Sequence, residues 1–430
     1  MAKYTVVISE DALLYDDMEY LCSLPAFSSV LPQSARVHRM RSIYPTITYP
    51  CHTTMSTGCY PDRHGVLNNE QTILGEVSSL WEHFHHIVKV PDLFDLAKAA
   101  GLRTASVFWP VTGGHPHIDY LVNEYWPQHG EDEVECHLDS GSSPETMEVI
   151  RNNAHFNRGR QRQHPWNDQF INGCACEIMR RFTPNLLMVH LGNLDGYRHQ
   201  AGMRSMKAVQ GLHEIDLWLS DMLQALDIAG IRDEANLFIV SDHGQMDVRG
   251  SIHPNVLLVR AGLIQLDEAG AIADYKAIAK STGASCQIYL KDPEDREVWN
   301  KTKEVLEAAC REGVYGIERV YTREETARLE RLSGPFSFVL EMNGLFSFGN
   351  EWTEPPVRAV DCSDYKLAHA THGYHPDKGP QPTLLAFGPD IRPGALLEQA
   401  GIVDIAPTVA HSLGLSMPGV DGRVLTELFR

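Results

Sequence analysis

The chain has 430 residues, 43% of them hydrophobic, which is enough to bury a large core in one big α/β domain or in two or three smaller ones. Its 37 basic and 56 acidic side chains leave a formal charge of −19, which disfavours non-specific contact with nucleic acid polymers or acidic lipid. A phosphate substrate is not excluded, because bound divalent cations can reverse the field inside an acidic shell.

The first apolar run, Tyr4–Ser9, has the length of a strand buried on both faces and leads to Asp11. Leu13–Leu24 carries apolar residues at helical spacing. Asp92–Ala100 reads as a helix closed by Gly101, followed by a strand over Thr104–Phe108. Val111–Pro165 is rich in Gly, His and Asp with little periodicity, and is expected to be a long loop near the strand ends. A helix over Asn167–Arg181 leads to the strand Leu186–Leu191, and a helix over Met203–Ala229 ends at Gly230 before the strand Leu237–Val240. This alternation predicts a doubly wound, mainly parallel sheet. From Val259 to Asp361 the pattern changes. Charged helices over Glu294–Arg311 and Arg323–Arg331 interleave with strands over Cys286–Leu290 and Phe336–Leu340. Thr383–Phe387 and Ile402–Leu413 then read as one more strand and helix of the main sheet. The expected organisation is a catalytic α/β core over 1–258 and 364–430, with an α+β cap subdomain inserted at 259–363.

The N-terminus lacks the apolar core of a signal peptide, and no stretch approaches membrane-spanning length. The nine cysteines are scattered without CxxC pairs. Free thiols in a cytoplasmic protein with no membrane partner are the expectation.

Three of the strand-like runs lead into aspartates: Asp11, Asp195 and Asp242. Histidines His199 and His243 closely follow the last two. Ligands of open α/β sheets collect at the carboxyl ends of the strands, so acidic and imidazole groups delivered there read as a metal centre. Asp195 and His199 are four residues apart and share one face of a helical turn. Asp242 and His243 are adjacent, and both can reach one metal only if the strand has ended by Asp242, as Gly244 would allow. The plainer alternatives are an Asp helix cap with a surface histidine, and a solvated Asp-His-Gly turn.

The segment Pro45–Gly65 (PTITYPCHTTMSTGCYPDRHG) is the most specific stretch of the chain. A threonine hydroxyl is a poor nucleophile unless something removes or polarises its proton, as a divalent cation does. Pro50 lacks an N–H and is tolerated in a first helical turn, so a helix beginning just after Thr48 is expected. That would place Thr48 where the helix dipole favours an incoming phosphoryl group, or else make it a simple cap.

This segment resembles the alkaline phosphatase superfamily, in particular its nucleotide pyrophosphatase/phosphodiesterase branch. The matching pieces are Thr48, Pro50, Thr57–Gly65, Phe108-Trp109-Pro110, Asp195-x-x-x-His199, Ser241–Gly244, His372-Gly-Tyr and Ala386–Pro389. They cover nearly the whole core in the right order. The resemblance implies an alkaline-phosphatase-like fold with two divalent ions, Zn²⁺ by donor chemistry and Mn²⁺ as the alternative. It implies one ion on Asp11, Asp242 and His243, facing Thr48, and a second on Asp195, His199 and His372. It implies hydrolysis of phosphodiester or nucleotide pyrophosphate bonds through a phosphothreonine intermediate. Phosphonate hydrolysis or phosphomonoester hydrolysis on the same core is the alternative, and a non-catalytic metal-binding protein of the same fold is a second one. Nothing in the sequence supplies an obvious arginine to clamp a monoester dianion, which favours a diester. The expected partner is a small phosphate ester or phosphonate.

Several positions depart from the pattern or compete with it. Ala12 replaces the glycine that relatives commonly carry after Asp11, and Glu10 is a neighbouring alternative ligand. His369 and His375 compete with His372. Cys51 stands where diesterase relatives often have asparagine. Asn69 best matches the asparagine that contacts a non-bridging phosphate oxygen in relatives, with Asn68 as its rival. Cys59 falls in a sulfatase-like Cys-x-Pro-x-Arg string but after the Thr-Gly pair, out of register. His83, His85 and His86 form a possible extra metal cluster or a polar groove wall. Tyr49 adjoins the nucleophile and is expected to meet substrate; Trp109, Tyr120 and Trp126 are further stacking candidates.

Overall fold

The computed structural model describes residues 2–128 and 130–430. At its centre lies an eight-stranded sheet: β1 (Tyr4–Glu10), β2 (Ser34–Arg41), β3 (Thr104–Val107), β4 (Tyr120–Val122), β5 (Leu186–Leu191), β6 (Ala235–Val240), β7 (Leu384–Phe387) and β8 (Leu396–Gly401). Their order is β8-β2-β7-β6-β1-β5-β3-β4. Neighbours are parallel except at β7, which runs antiparallel to both β2 and β6. The carboxyl ends of β1, β2, β5 and β6 therefore share one edge, and the chain entering β7 arrives at that same edge.

Side chains alternate across this sheet as period-two geometry requires. Val6, Ile8, Leu187, Val189, Leu237 and Ile239 face one layer, which holds the helices Trp166–Phe182 and Met206–Ala229. Val7, Met188, Phe238 and Val240 face the other, which holds the helices Thr48–Thr57, Leu93–Ala99 and Ile405–Ser412. Apolar residues on both faces explain why these strands read as continuous hydrophobic runs. Each such side chain is worth about 1.5–3 kcal/mol of burial, so the continuous runs stabilise the sheet on both sides.

A second sheet, four-stranded and antiparallel, lies within the stretch expected to be inserted. Its order is Ala277–Ser281, Ser285–Leu290, Phe338–Met342, Ile317–Thr322. The helix Arg296–Glu312 packs Leu306 and Ala309 onto it, and the same apolar cluster takes in Tyr44 and Tyr374. These two tyrosines lie four residues before Thr48 and two after His372, so the second sheet abuts the segments that present both.

Two expectations are corrected. Leu13–Leu24 is not one helix: a 3-10 turn (Tyr15–Asp17) and a four-residue helix (Met18–Leu21) divide it. Asp17 fixes where the helical stretch starts, accepting from the Leu14 N–H at 2.9 Å and from the Arg198 guanidinium at 2.7 Å, so Leu13 and Leu14 stay outside it, and the stretch ends at Leu21 ahead of Pro25. Val111–Pro165 is not a long loop. It contains β4, which completes the sheet edge, and the helix Pro144–Asn153, capped by Ser143. Strand β2 gave no sequence signal because its basic residues Arg36, His38 and Arg39 interrupt the apolar pattern. No helix among the described residues is long and apolar enough to cross a membrane, and the nine cysteines are free.

Candidate active site

β1 delivers Asp11 directly after its last residue, and β6 delivers Asp242 and His243 after a one-residue extension. The ligand-type atoms of Asp11, Asp242 and His243 lie within 4.8 Å of one another. His243 Nε2 is 3.4 Å from Asp11 Oδ1 and 3.2 Å from Asp242 Oδ2. Ala12 adopts φ 57°, the left-handed conformation that glycine takes without steric cost, and its N–H donates to Asp242 Oδ1 at 3.2 Å. The turn is thus retained despite the alanine. Glu10 is buried but stands outside this cluster.

The helix Asn193–Ala201 follows β5 and places Asp195 and His199 on one face, with His372 reaching in from the approach to β7. These three also gather within 4.8 Å. His199 Nε2 is 3.3 Å from Asp195 Oδ2, and His372 Nε2 is 3.7 Å from Asp195 Oδ1. Each ring is oriented from behind by a backbone carbonyl. His199 Nδ1 donates to Ala370 at 2.6 Å, and His372 Nδ1 donates to Thr46 at 3.1 Å. That leaves Nε2 of each as a lone pair facing the cluster, the usual arrangement behind a metal-bound histidine. The two clusters meet where the His243 and His372 rings stack, 3.9 Å apart and 13° from parallel.

The helix Thr48–Thr57 begins at Thr48 itself, with Ile47 in the cap position, so Thr48 is not the cap. Its Oγ1 lies 3.3 Å from His243 Nε2. The Tyr49 N–H is taken by Asn69 Oδ1 at 2.8 Å. Because a backbone N–H can only donate, the amide oxygen of Asn69 must face it. Asn69 Nδ2 is left buried without a partner, and Asn69 lines the cleft. Asn68 instead donates to the Ser281 carbonyl at 3.0 Å.

Whether these residues suit divalent cations can be judged from unmet polar groups. Asp11 Oδ1, Asp242 Oδ2 and His199 Nε2 are buried with no hydrogen-bond partner among the described residues. Burial first, and then the Asp242 and Asp195 charges, push the Asp11 carboxyl well above the usual carboxylate range. Burial raises Asp242 to about 8. Burial also opposes ionisation of Asp195, but the imidazoles of His199, His372 and His243 outweigh it and hold that carboxyl below its ordinary value. Burial lowers His372 to about 4 and holds His243 well below the ordinary imidazole range. His199 is held above the ordinary imidazole value, the Asp195 charge outweighing burial. Buried, converging carboxyl and imidazole groups with unmet ligand atoms fit a pair of cations, and this donor set suits zinc.

The cleft has a volume of about 210 Å³ and is lined by Asp11, Thr48, Asn69, Asp195, His199 and His372, with Trp81, Trp126 and Tyr365 on its walls. Sequence reasoning missed Tyr365, Glu124, Arg162 and His190. An arginine does line the cleft, contrary to the sequence expectation. It was invisible because nothing in its local sequence marks it. His190 sits 3.5 Å from Asp11 Oδ2. Its position inside a strand disguised it as a core histidine.

Tyr49 is fully buried beside Trp81 and does not line the cleft. Trp109 packs against His52 and Tyr120 against Phe182, so neither lines the cleft either, whereas Trp126 does. Cys51 is buried against Ser42. His369 is exposed, and His375 pairs with Glu330 at 3.0 Å. Of the three loop histidines, His83 donates to the Glu124 carbonyl at 2.8 Å. His85 joins Asp92, Asp95 and His115 within 4.8 Å. That group is not a ready-made metal site. His115 Nδ1 accepts from the His117 N–H at 3.0 Å, so its Nε2 keeps the proton and donates to Asp92 at 3.2 Å.

A mainly parallel sheet carrying this edge is alkaline-phosphatase-like. The profile of the family described as type I phosphodiesterase / nucleotide pyrophosphatase matches residues 5–375, and the chain belongs to that family of phosphoric ester hydrolases. Among curated proteins, it is 24% identical to ectonucleotide pyrophosphatase/phosphodiesterase 2 of Saccharomyces cerevisiae over 264 residues, 59% of this chain and 48% of that protein. It is 22% identical to human ectonucleotide pyrophosphatase/phosphodiesterase family member 1 over 226 residues, 51% of this chain and 21% of that one. The chain therefore spans half or less of the curated relatives it matches. Murine ectonucleotide pyrophosphatase/phosphodiesterase 5 shares the fold, with a TM-score of 0.67 at 17% identity, covering 99% of this chain and 100% of that chain. An inactive threonine-to-alanine form of the murine protein, in complex with AMP, is equally similar, with a TM-score of 0.67.

Proposed function

We propose that this chain hydrolyses phosphodiester or nucleotide pyrophosphate bonds, with Thr48 as nucleophile. The observation that carries the reading is the Thr48 hydroxyl at the start of its helix, 3.3 Å from His243 Nε2 and flanked by two triads with unmet ligand atoms. Asp11, Asp242 and His243 would hold one divalent ion, and Asp195, His199 and His372 the other, with zinc the ion the donors suit best. When bound, the ions would lower the pKa of the nucleophile and of water and neutralise phosphoryl charge.

The chain's own part follows from its geometry. The Thr48 oxygen forms a bond to phosphorus as the bond to the leaving oxygen breaks, and the retained phosphoryl group stays on Thr48 as a phosphothreonine ester. Water then breaks that ester and restores the hydroxyl. Asn69 Nδ2 donates to a non-bridging oxygen on which charge builds up. The helix start adds a favourable dipole, although the Tyr49 N–H is already engaged by Asn69. Support comes from the family itself and from the murine relative, whose inactive form lacks a threonine and binds AMP. The free cysteines support a reducing, cytoplasmic setting. We also propose that 259–363 acts as a cap subdomain inserted into the core.

The test is a panel of bis-p-nitrophenyl phosphate, p-nitrophenyl phosphate, phosphonoacetate and a dinucleotide, assayed with zinc and with manganese. Faster turnover of the diester or the dinucleotide supports the reading. Preferential turnover of the monoester or phosphonoacetate would transfer the assignment to the alternative chemistry, and no turnover with metal bound would favour a non-catalytic role.

A further inference from the structure

One wall of the cleft is built from a single short segment: Gln161, Arg162, His164 and Asn167 all line it. Two of the four are basic, in a chain whose net charge is −19. Arg162 adopts φ 60°, a left-handed conformation that costs a non-glycine residue energy and that folds tend to keep where a side chain has a task. Its guanidinium centre lies 4.2 Å from the Trp126 ring centroid and 5.1 Å from that of Trp81. The two indoles stand nearly perpendicular, at 78°, so they form a corner that holds the cation.

This arrangement decides what the wall offers to a substrate. With the guanidinium against them, the indole faces are not open platforms for a flat base. What remains on offer is the edge of the guanidinium, a planar fork of N–H donors suited to oxyanions. No salt bridge engages Arg162 among the described residues. The acid that shares the cleft, Glu124, is pushed up to about 8, chiefly by burial, and forms no salt bridge with Arg162. His164 adds a second donor in its protonated form, which the Asp168 charge favours against burial. Its Nδ1 is 2.5 Å from the buried Asp168, which fixes the ring and leaves Nε2 as its remaining polar atom.

We propose that residues 161–167, centred on Arg162, form a subsite for a second anionic group of the substrate. The preferred substrates would be phosphodiesters or pyrophosphates carrying a further phosphate or carboxylate. The proposal rests on the cleft being the phosphoryl-transfer site described above.

The experiment compares Arg162→Ala with the parent protein on ATP and on p-nitrophenyl thymidine 5′-phosphate, which carries a base but only one negative charge. The expected result is that the ratio of kcat/KM for ATP to that for the thymidine ester falls about ten- to a hundredfold, mainly through KM for ATP, with partial rescue in Arg162→Lys. The same ratio is read independently of turnover by calorimetric affinities in the zinc-loaded Thr48→Ala background. An equal loss on both substrates would mean that the wall binds the base, and no loss on either would mean that it binds nothing; both overturn the subsite. If neither substrate is turned over but the affinity ratio falls as stated, the subsite stands and the hydrolytic reading fails.

Discussion

The backbone N–H of Tyr49 donates to Asn69 Oδ1 across 2.8 Å, so the residue following Thr48 dictates which end of an amide twenty positions away faces the cleft. The proposed nucleophile and the proposed oxyanion donor are thereby held together. The donor is a side-chain N–H, while the helix's own Tyr49 N–H is spent in aiming it.

Replacing Asn69 with Ala removes one donor to the developing negative charge. Loss of one such group costs about 10²–10³ in kcat, and that is the drop expected here, with metal content unchanged. Steady-state kinetics with elemental analysis check it; a change in KM alone would assign Asn69 to ground-state binding.

Thr48→Ala should abolish turnover while both metals stay bound, since Thr48 supplies none of the carboxylate or imidazole ligands. Rapid acid quench of the parent protein with substrate, followed by peptide mass spectrometry, should place a phosphoryl adduct on Thr48. An adduct elsewhere would remove Thr48 from the mechanism.

Stripping the metals should make stability depend on pH in a definite direction. The Asp242 carboxyl is raised in the fold, to about 8 from an unfolded value near 4, so the folded state holds the extra proton. Its contribution is fully present below about pH 4 and is lost as pH rises towards about 8. Asp11, raised for the same reasons, adds to the loss in the same direction. The buried imidazoles of His372 and His243, lowered in the fold, act in the opposite direction below about pH 6.5, so the chelated protein should lose a few degrees of melting temperature between about pH 6.5 and 8, and added zinc should cancel the trend. Scanning calorimetry with and without chelator tests this. Asp242→Asn should flatten the apo profile and reduce metal occupancy.

Glu70 lies between two buried lysines, Lys280 at 2.9 Å and Lys366 in direct contact. The group ties the second sheet to the residues beside Asn69 and Tyr365. Removing this acid leaves Lys280 without its carboxylate partner and Lys366 with only Asp364 at 3.7 Å, whereas removing one lysine leaves a neutral pair. Glu70→Gln should then cost about 3–5 kcal/mol, and Lys280→Met distinctly less. Urea denaturation ranks the two; the reverse order would mean that the second lysine is already compensated elsewhere.

Much of this site was legible before any coordinates. Strands buried on both faces write themselves as Val/Ile/Leu runs, so Asp11, Asp195 and Asp242 could be located at strand ends, and the family resemblance pointed to His372, over His369 and His375, and to Asn69, with Asn68 as its rival. What stayed hidden shares a physical cause. Arg162, Tyr365 and Glu124 come from irregular segments whose placement depends on tertiary packing and leaves no periodicity. β2 was masked by its charged residues, and Leu13–Leu24 was misread because Asp17, paired with Arg198, starts the helical stretch only at Tyr15 and it ends at Leu21. Tyr49 misled for the opposite reason: adjacency to a nucleophile on a helix turns the next side chain away by a large angle, here into the core.

The antiparallel strand Leu384–Phe387 carries a practical consequence. Among the described residues it is the strand that joins Ser34–Arg41 to Ala235–Val240 in the sheet order, and it lies beyond residue 375, where the family match stops. A protein cut back to the matched span would keep every metal-type ligand and the threonine. It would nonetheless lose both strands that flank Ser34–Arg41, leaving the segment that leads to Thr48 outside the sheet that carries Asp11, Asp195 and Asp242.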